Sequence, residues 1–93
     1  MIRSFRDKRT EVLFLTGKAR GLPPDILSRA RRKLFALDAS IRIDDLRVPP
    51  SNRLEALSGD RKGQHSVRVN DQWRLCFRFS DGDAFDVELC DYH

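Results

Sequence analysis

Residues 73–89 decide the fold: Trp73-Arg74-Leu75-Cys76-Phe77-Arg78-Phe79, then Ser80-Asp81-Gly82-Asp83-Ala84, then Phe85-Asp86-Val87-Glu88-Leu89. Apolar and polar side chains alternate through both runs, which is the period of a strand with one buried face. Asp81-Gly82 between them is hairpin-turn chemistry, because both residues tolerate the positive φ that a tight turn needs. The stretch therefore reads as two antiparallel strands.

Upstream, His65-Ser66-Val67-Arg68-Val69 alternates again and is joined to Trp73 through the turn residues Asn70-Asp71. Arg53-Leu54-Glu55-Ala56-Leu57 is a further candidate strand, and Ser58 to Gly63 is a turn carrying two glycines. The first half is helical. Asp7 can cap a helix that runs through Thr16 and stops at Gly17. Pro23-Pro24-Asp25 opens a second helix. At 100° per residue from Ile26, Leu37, Ala30, Leu34 and Leu27 fall at about 20°, 40°, 80° and 100°, one apolar stripe. Arg29, Arg32 and Lys33 lie off that stripe, and Phe35 falls opposite it as a candidate partner anchor. Residues 38–50 read as a loop, and Ile2 to Phe5 alternates as a short first strand. The order is β-α-α-β-β-β-β. Helices followed by consecutive hairpins indicate an α+β domain, with an antiparallel sheet and two N-terminal helices packed on one face.

Composition narrows the class. The chain has 93 residues, room for one domain over 1–93. Its 40% hydrophobic content suffices for a core, and its 34% charged content is mixed in sign, which argues against disorder. The longest apolar run is Val12 to Leu15, far short of a membrane span, and the start lacks a signal-type apolar stretch, so a cytoplasmic protein is expected. Cys76 and Cys90 have no CxxC spacing, so they read as reduced packing thiols, with no metal site and no cofactor expected. The net charge of +4 hides a pattern. Residues 1–33 carry 10 basic and 3 acidic side chains, residues 61–80 carry 5 and 1, and residues 81–93 carry none and 5. Two basic blocks point to a polyanion or an acidic partner.

Alternation gives the basic blocks a place. If the helices cover the face of Trp73, Leu75, Phe77 and Phe79, then Arg68, Arg74 and Arg78 line the open face. Guanidinium forks held on strands suit phosphate oxygens. The alternative, favoured by the pattern alone, is that they pair with Asp86 and Glu88 on the neighbouring strand. Asp91, Tyr92 and His93 put three proton-active side chains at the end of the last strand, and histidine is the usual acid or base near neutral pH. His65 reads as a plain surface histidine.

Taken together, Ile2-Arg3-Ser4-Phe5, residues 49–63 (PPSNRLEALSGDRKG), His65 to Asn70, Trp73 to Phe77 and the final Asp91-Tyr92-His93 resemble the HigB-type toxins of the RelE/ParE superfamily, most closely a GraT-like subset. The combination of LxGDRKGxxS, WR and a final DYH carries the resemblance over essentially the whole chain. It implies a RelE-like fold and metal-independent, ribosome-dependent cleavage of mRNA by attack of the substrate's own 2′-hydroxyl. It also implies a HigA-type helix-turn-helix antitoxin as partner, and the basic helix surface and Phe35 are where we expect that partner to dock. The 70S ribosome would be the place of action, and operator DNA would be met only through the antitoxin. The catalytic cluster it implies is Asp91, Tyr92 and His93 with Arg74 at the scissile phosphate, while Arg61 and Lys62 touch RNA beside Arg68 and Arg78. One position departs from the pattern. Many HigB toxins carry histidine where this chain has Glu55, and a carboxylate can accept a proton but brings no positive charge to a phosphate. A gyrase-poisoning relative and a non-catalytic co-repressor or binding module are the rival readings.

Overall fold

The computed structural model describes residues 1–91. Tyr92 and His93, two of the expected catalytic residues, lie outside them. Helix α1 spans Lys8–Thr16; Asp7 accepts the Thr10 N–H at 2.8 Å and Gly17 closes it at φ 79°. Helix α2 spans Pro24–Ala39 and buries Ile26, Ala30, Leu34 and Leu37, the stripe that the spacing predicts. Four strands follow: β1 (Glu55–Ala56), β2 (His65–Arg68), β3 (Trp73–Ser80) and β4 (Asp83–Asp91). They pair antiparallel in the order β1-β2-β3-β4. Both helices pack on one face, where Leu13 and the α2 stripe meet Val67, Leu75, Phe77, Val87 and Leu89 in a single core.

Several local readings change. The N-terminal segment is not a full strand: only Ile2 and Phe5 bridge, and they run parallel to Ala84 and Val87 on β4. It thereby covers an edge that would otherwise expose unpaired N–H and C=O groups. The candidate strand over 53–57 shrinks to two residues because Arg53 sits at φ 45°, a left-handed conformation that interrupts extension. The loop over 38–50 is partly helical: α2 continues to Ala39, and a 3-10 turn over Ile43–Arg47 places Leu46 in the core. Strict alternation fails in β4. Asp86 at φ 54° accompanies a bulge opposite Cys76–Arg78, so Ala84 and Val87, three apart, are both fully buried. His65 is not a plain surface histidine. Its ring stacks on Phe77 at 6.5 Å, and its Nδ1 is buried with no hydrogen-bond partner among the described residues. Phe35 is exposed as the angle predicts, but its ring also meets Phe14 edge-on at 5.4 Å and lies under the Arg31 guanidinium at 5.0 Å.

Candidate active site

The sheet face turned away from the helices carries the chemistry. Register decides which side chains share it. Glu55 lies opposite Ser66 and Ser66 opposite Cys76, while Arg68 lies opposite Arg74 and Arg74 opposite Cys90. Directly paired residues project to the same side, so Glu55, Ser66, Arg68, Arg74, Cys76, Glu88 and Cys90 form one surface.

Arg74 is its centre. The face is not open at this point: Arg74 is only 8% exposed and Cys76 is fully buried. A buried guanidinium needs its N–H groups satisfied. Arg74 Nε donates to Ser66 Oγ at 2.9 Å, and Nη2 donates to the Arg53 carbonyl at 2.8 Å. The Glu55 carboxylate stands 3.5 Å from Nη2 and is half exposed. The sequence pairing with Asp86 or Glu88 is thus replaced, for Arg74, by Glu55 from β1. The result is a cation fixed in place by three elements, with an accessible carboxylate beside it. These are the parts needed to stabilise an anionic transition state next to a proton acceptor.

Around it stand the other basic residues. Arg61, in the 3-10 turn Gly59–Arg61, donates to Gln64 Oε1 at 3.1 Å and to Glu88 Oε1 at 2.7 Å. The Glu88 carboxylate raises the Arg61 pKa. Glu88 in turn receives Arg6 Nε at 3.5 Å and the Cys90 thiol at 3.0 Å. Burial pushes the Glu88 carboxyl up, but the bonds from Cys90 and Arg61 outweigh it and hold the group below the usual carboxylate range. The Cys90 thiol is pushed up by its hydrogen bond to Cys76, by burial and by Glu88. Lys62 is exposed at the end of the same turn. Arg78 is exposed and pairs with Asp86 at 3.6 Å, the cross-strand contact the sequence suggests. Its guanidinium lies so close to Gly63 that a Cβ there would stand 2.8 Å from Nη1. Arg68 pairs with the exposed Asp71.

Glu55, Arg68 and Arg74 are therefore brought to one face by register, Arg61 joins them from its turn through Glu88, and Arg78 and Lys62 border it. Asp91 closes β4 opposite Trp73, so the same pairing rule sets it on the side of Trp73 and the helices, not with Arg74, and it accepts from Gln72 Nε2 at 3.1 Å. Two contributors escape the sequence reading. Ser66 is recoverable from period-two alternation with Arg68. The Arg53 carbonyl has no side-chain signal, because the left-handed turn at Arg53 aims it. Among the described residues no His, Cys, Asp and Glu group is suited to hold a metal ion, and no helix is long and apolar enough to cross a membrane.

Known proteins resemble this chain along its length. The HigB-like toxin family, described as RelE-like toxins of the type II toxin–antitoxin system HigB, matches residues 3–93. Toxin HigB-1 of Vibrio cholerae serotype O1 is 43% identical over 90 residues, covering 96% of this chain and 95% of that one. Endoribonuclease HigB of Proteus vulgaris is 37% identical over 93 residues, the whole of both chains. Among solved structures, a chain of the YoeB–YefM complex from Staphylococcus aureus superposes with a TM-score of 0.62 over 100% of this chain and 98% of that chain, at 15% identity, which is a likeness of fold.

Proposed function

Since this chain belongs to the HigB-like family, the RelE-like toxins of type II toxin–antitoxin systems, we propose that it is an endoribonuclease that cuts mRNA on the ribosome at the Arg74–Glu55 site. The single observation that carries the reading is the buried Arg74 guanidinium, held by Ser66 and the Arg53 carbonyl, with the exposed Glu55 carboxylate 3.5 Å away. The 2′-oxygen of the substrate attacks the adjacent phosphorus while Glu55 takes its proton. The new bond from the 2′-oxygen to phosphorus forms as the bond to the 5′-oxygen breaks. The products are a 2′,3′-cyclic phosphate and a 5′-hydroxyl, and His93 supplies the proton for the leaving oxygen. The phosphorane oxygens carry the extra negative charge, and the Arg74 guanidinium stabilises it. Asp91 orients His93, and Tyr92 positions the phosphate or an adjoining base. Support for His93 comes from strand order: Cys90, three positions before it in the sequence, lies opposite Arg74. Arg61, Lys62, Arg68 and Arg78 hold the flanking RNA. Orientation of the mRNA by the ribosome supplies much of the rate.

A HigA-type helix-turn-helix antitoxin is the proposed partner, with operator DNA reached through it. The exposed Phe35 and Leu15 offer it an apolar foothold. The test is to map RNA ends on translating ribosomes with wild type and Arg74→Ala. Wild type is expected to yield discrete 5′-hydroxyl ends that the variant lacks. Cutting of an mRNA whose attacking 2′-hydroxyl is replaced by hydrogen would reject the mechanism. The Glu55–Arg74 ion pair favours one second reading, a non-catalytic co-repressor whose guanidinium is already occupied by a carboxylate; unimpaired growth on expression without antitoxin would select it.

A further inference from the structure

A second cationic site lies beyond the proposed catalytic face. A cleft of about 450 Å3 runs between α2 and residues 49–52, lined by Arg29, Arg32 and Lys33 from the helix, by Asn52, and by Arg68 and Val69 at the end of β2. Four of its lining side chains are cations and none is an acid. Among the described residues, Arg29, Arg32 and Lys33 have no carboxylate partner, and the partner of Arg68, Asp71, is almost wholly exposed.

The cleft is built, not a chance cluster of surface charge. Asn52 is 1% exposed, and its Nδ2 donates to the Leu46 carbonyl at 3.1 Å and the Val48 carbonyl at 3.4 Å. Its Oδ1 is thereby aimed at Lys33, whose Nζ donates to it. Arg29 is steadied by donation to the Val69 carbonyl at 3.4 Å. Burial and then the charges of Arg32, Arg29 and Arg68 lower the Lys33 pKa, which is the mark of a cation held without an anion.

We infer that this cleft holds a phosphate of an RNA backbone away from the linkage that is cut. The inference rests on the RNA-cutting reading. Two contacts favour RNA over an acidic peptide. Arg68 in the cleft is the cross-strand neighbour of Arg74, and Asn52 in its wall adjoins Arg53, whose carbonyl holds Arg74. A backbone with one phosphate at Arg74 has Arg68, on the wall of the cleft, as a neighbouring cation. The phosphate can belong to mRNA or to ribosomal RNA, and the chemistry is the same.

The test measures binding against salt concentration, which does not depend on cutting. The probes are a 2′-O-methylated single-stranded RNA oligonucleotide and purified small ribosomal subunits. The variants are Arg32→Ala, Arg32→Glu and Arg32→Lys; Arg32 is exposed on α2, and circular dichroism checks the fold. Arg32→Ala is expected to weaken binding about 5- to 10-fold and to lower the slope of log K against log salt by about 0.7, with Arg32→Glu worse and Arg32→Lys near wild type. Loss with the oligonucleotide assigns mRNA, and loss only with the subunits assigns ribosomal RNA; either supports the site. Unchanged affinity and slope with both probes would overturn it, as would a loss confined to binding of the antitoxin. If wild type binds RNA through the cleft but leaves mRNA uncut, the catalytic reading fails and the site stands.

Discussion

Ser66 and Arg74 are joined across β2 and β3 by a 2.9 Å hydrogen bond from Nε to Oγ, on a face where both side chains are buried. The bond fixes the plane of the guanidinium, and the Arg53 carbonyl fixes its far end. Ser66 has no acid–base part of its own to play; it determines where the positive charge stands.

Arg74→Ala is expected to lower the cleavage rate about 10²- to 10³-fold, the usual consequence of removing one preorganised charge from a transition state. Arg74→Lys does not restore it, because an ammonium cannot satisfy Ser66, Arg53 and a phosphate from one fork. Ser66→Ala frees the guanidinium plane and costs about 10-fold, on the scale of a lost hydrogen bond to a charged group. Single-turnover cleavage on programmed ribosomes measures all three.

Glu55→Gln keeps the shape of the side chain and removes its proton affinity. If the carboxylate takes the 2′-hydroxyl proton, the rate falls about 10²- to 10⁴-fold while RNA binding holds or improves, because a negative charge leaves the site. An unchanged rate would remove Glu55 from the reaction. Measuring the cleavage rate and the RNA dissociation constant side by side separates the two effects.

Much of this was legible in the residues. The 100° stripe on α2, the Asp7 and Gly17 stops and the Asp81-Gly82 turn each follow from a local rule, and each appears where expected. The residue types on the sheet face follow from period-two alternation. What alternation cannot supply is pairing between distant segments. Arg74 meets Glu55 because β1 pairs beside β2, it meets the Arg53 carbonyl because the chain turns just before β1, and Arg61 meets Glu88 across 27 residues. The bulge at Asp86 and the left-handed turn at Arg53 also lack a signal, since neither residue is glycine. The α2 cleft escapes as well, because Asn52 and Lys33 are brought together only by the 3-10 turns that precede β1.

Glu88 links stability to pH. Its carboxyl lies below the ordinary range in the folded chain, so its contribution is full above the unfolded value of about 4.3 and is lost as pH falls through the lower folded value. Urea unfolding at pH 7 and at pH 3 is expected to show a loss at low pH that is smaller in Glu88→Gln. At pH 7 the substitution itself costs about 1–2 kcal/mol, less than a fully buried charged bond because the Arg61 side chain is 36% exposed. An equal acid loss in both proteins would place the sensitivity elsewhere.

The core offers a contrast between size and polarity at one contact. Phe77 is fully buried, and Phe77→Ala is expected to cost about 3–5 kcal/mol, enough to unfold a chain this small. His65, stacked on that ring with a buried and unpaired Nδ1, behaves oppositely. His65→Phe keeps the stack, removes the unpaired atom, and is expected to be neutral or to stabilise by about 1 kcal/mol. Thermal melts of the two variants give both signs.

Gly63 and Arg78 give the most localised test of how the turn serves the RNA face. Gly63 sits at φ 93°, where an L side chain is strained, and a Cβ there would stand 2.8 Å from Arg78 Nη1. Gly63→Ala therefore has two consequences. The backbone conformation costs about 1–3 kcal/mol, read in chemical denaturation. The Arg78 guanidinium, the end of a flexible side chain, swings away from the face and lowers RNA affinity without touching Arg74. Arg78→Ala should lower affinity by the same factor while leaving stability within about 0.5 kcal/mol, since its pairing with Asp86 is exposed. In Gly63→Ala combined with Arg78→Ala the affinity loss should not add, whereas the stability loss should remain that of the glycine substitution alone. Additive loss of affinity would mean that Gly63 shapes the turn for Arg61 and Lys62 instead of making room for Arg78.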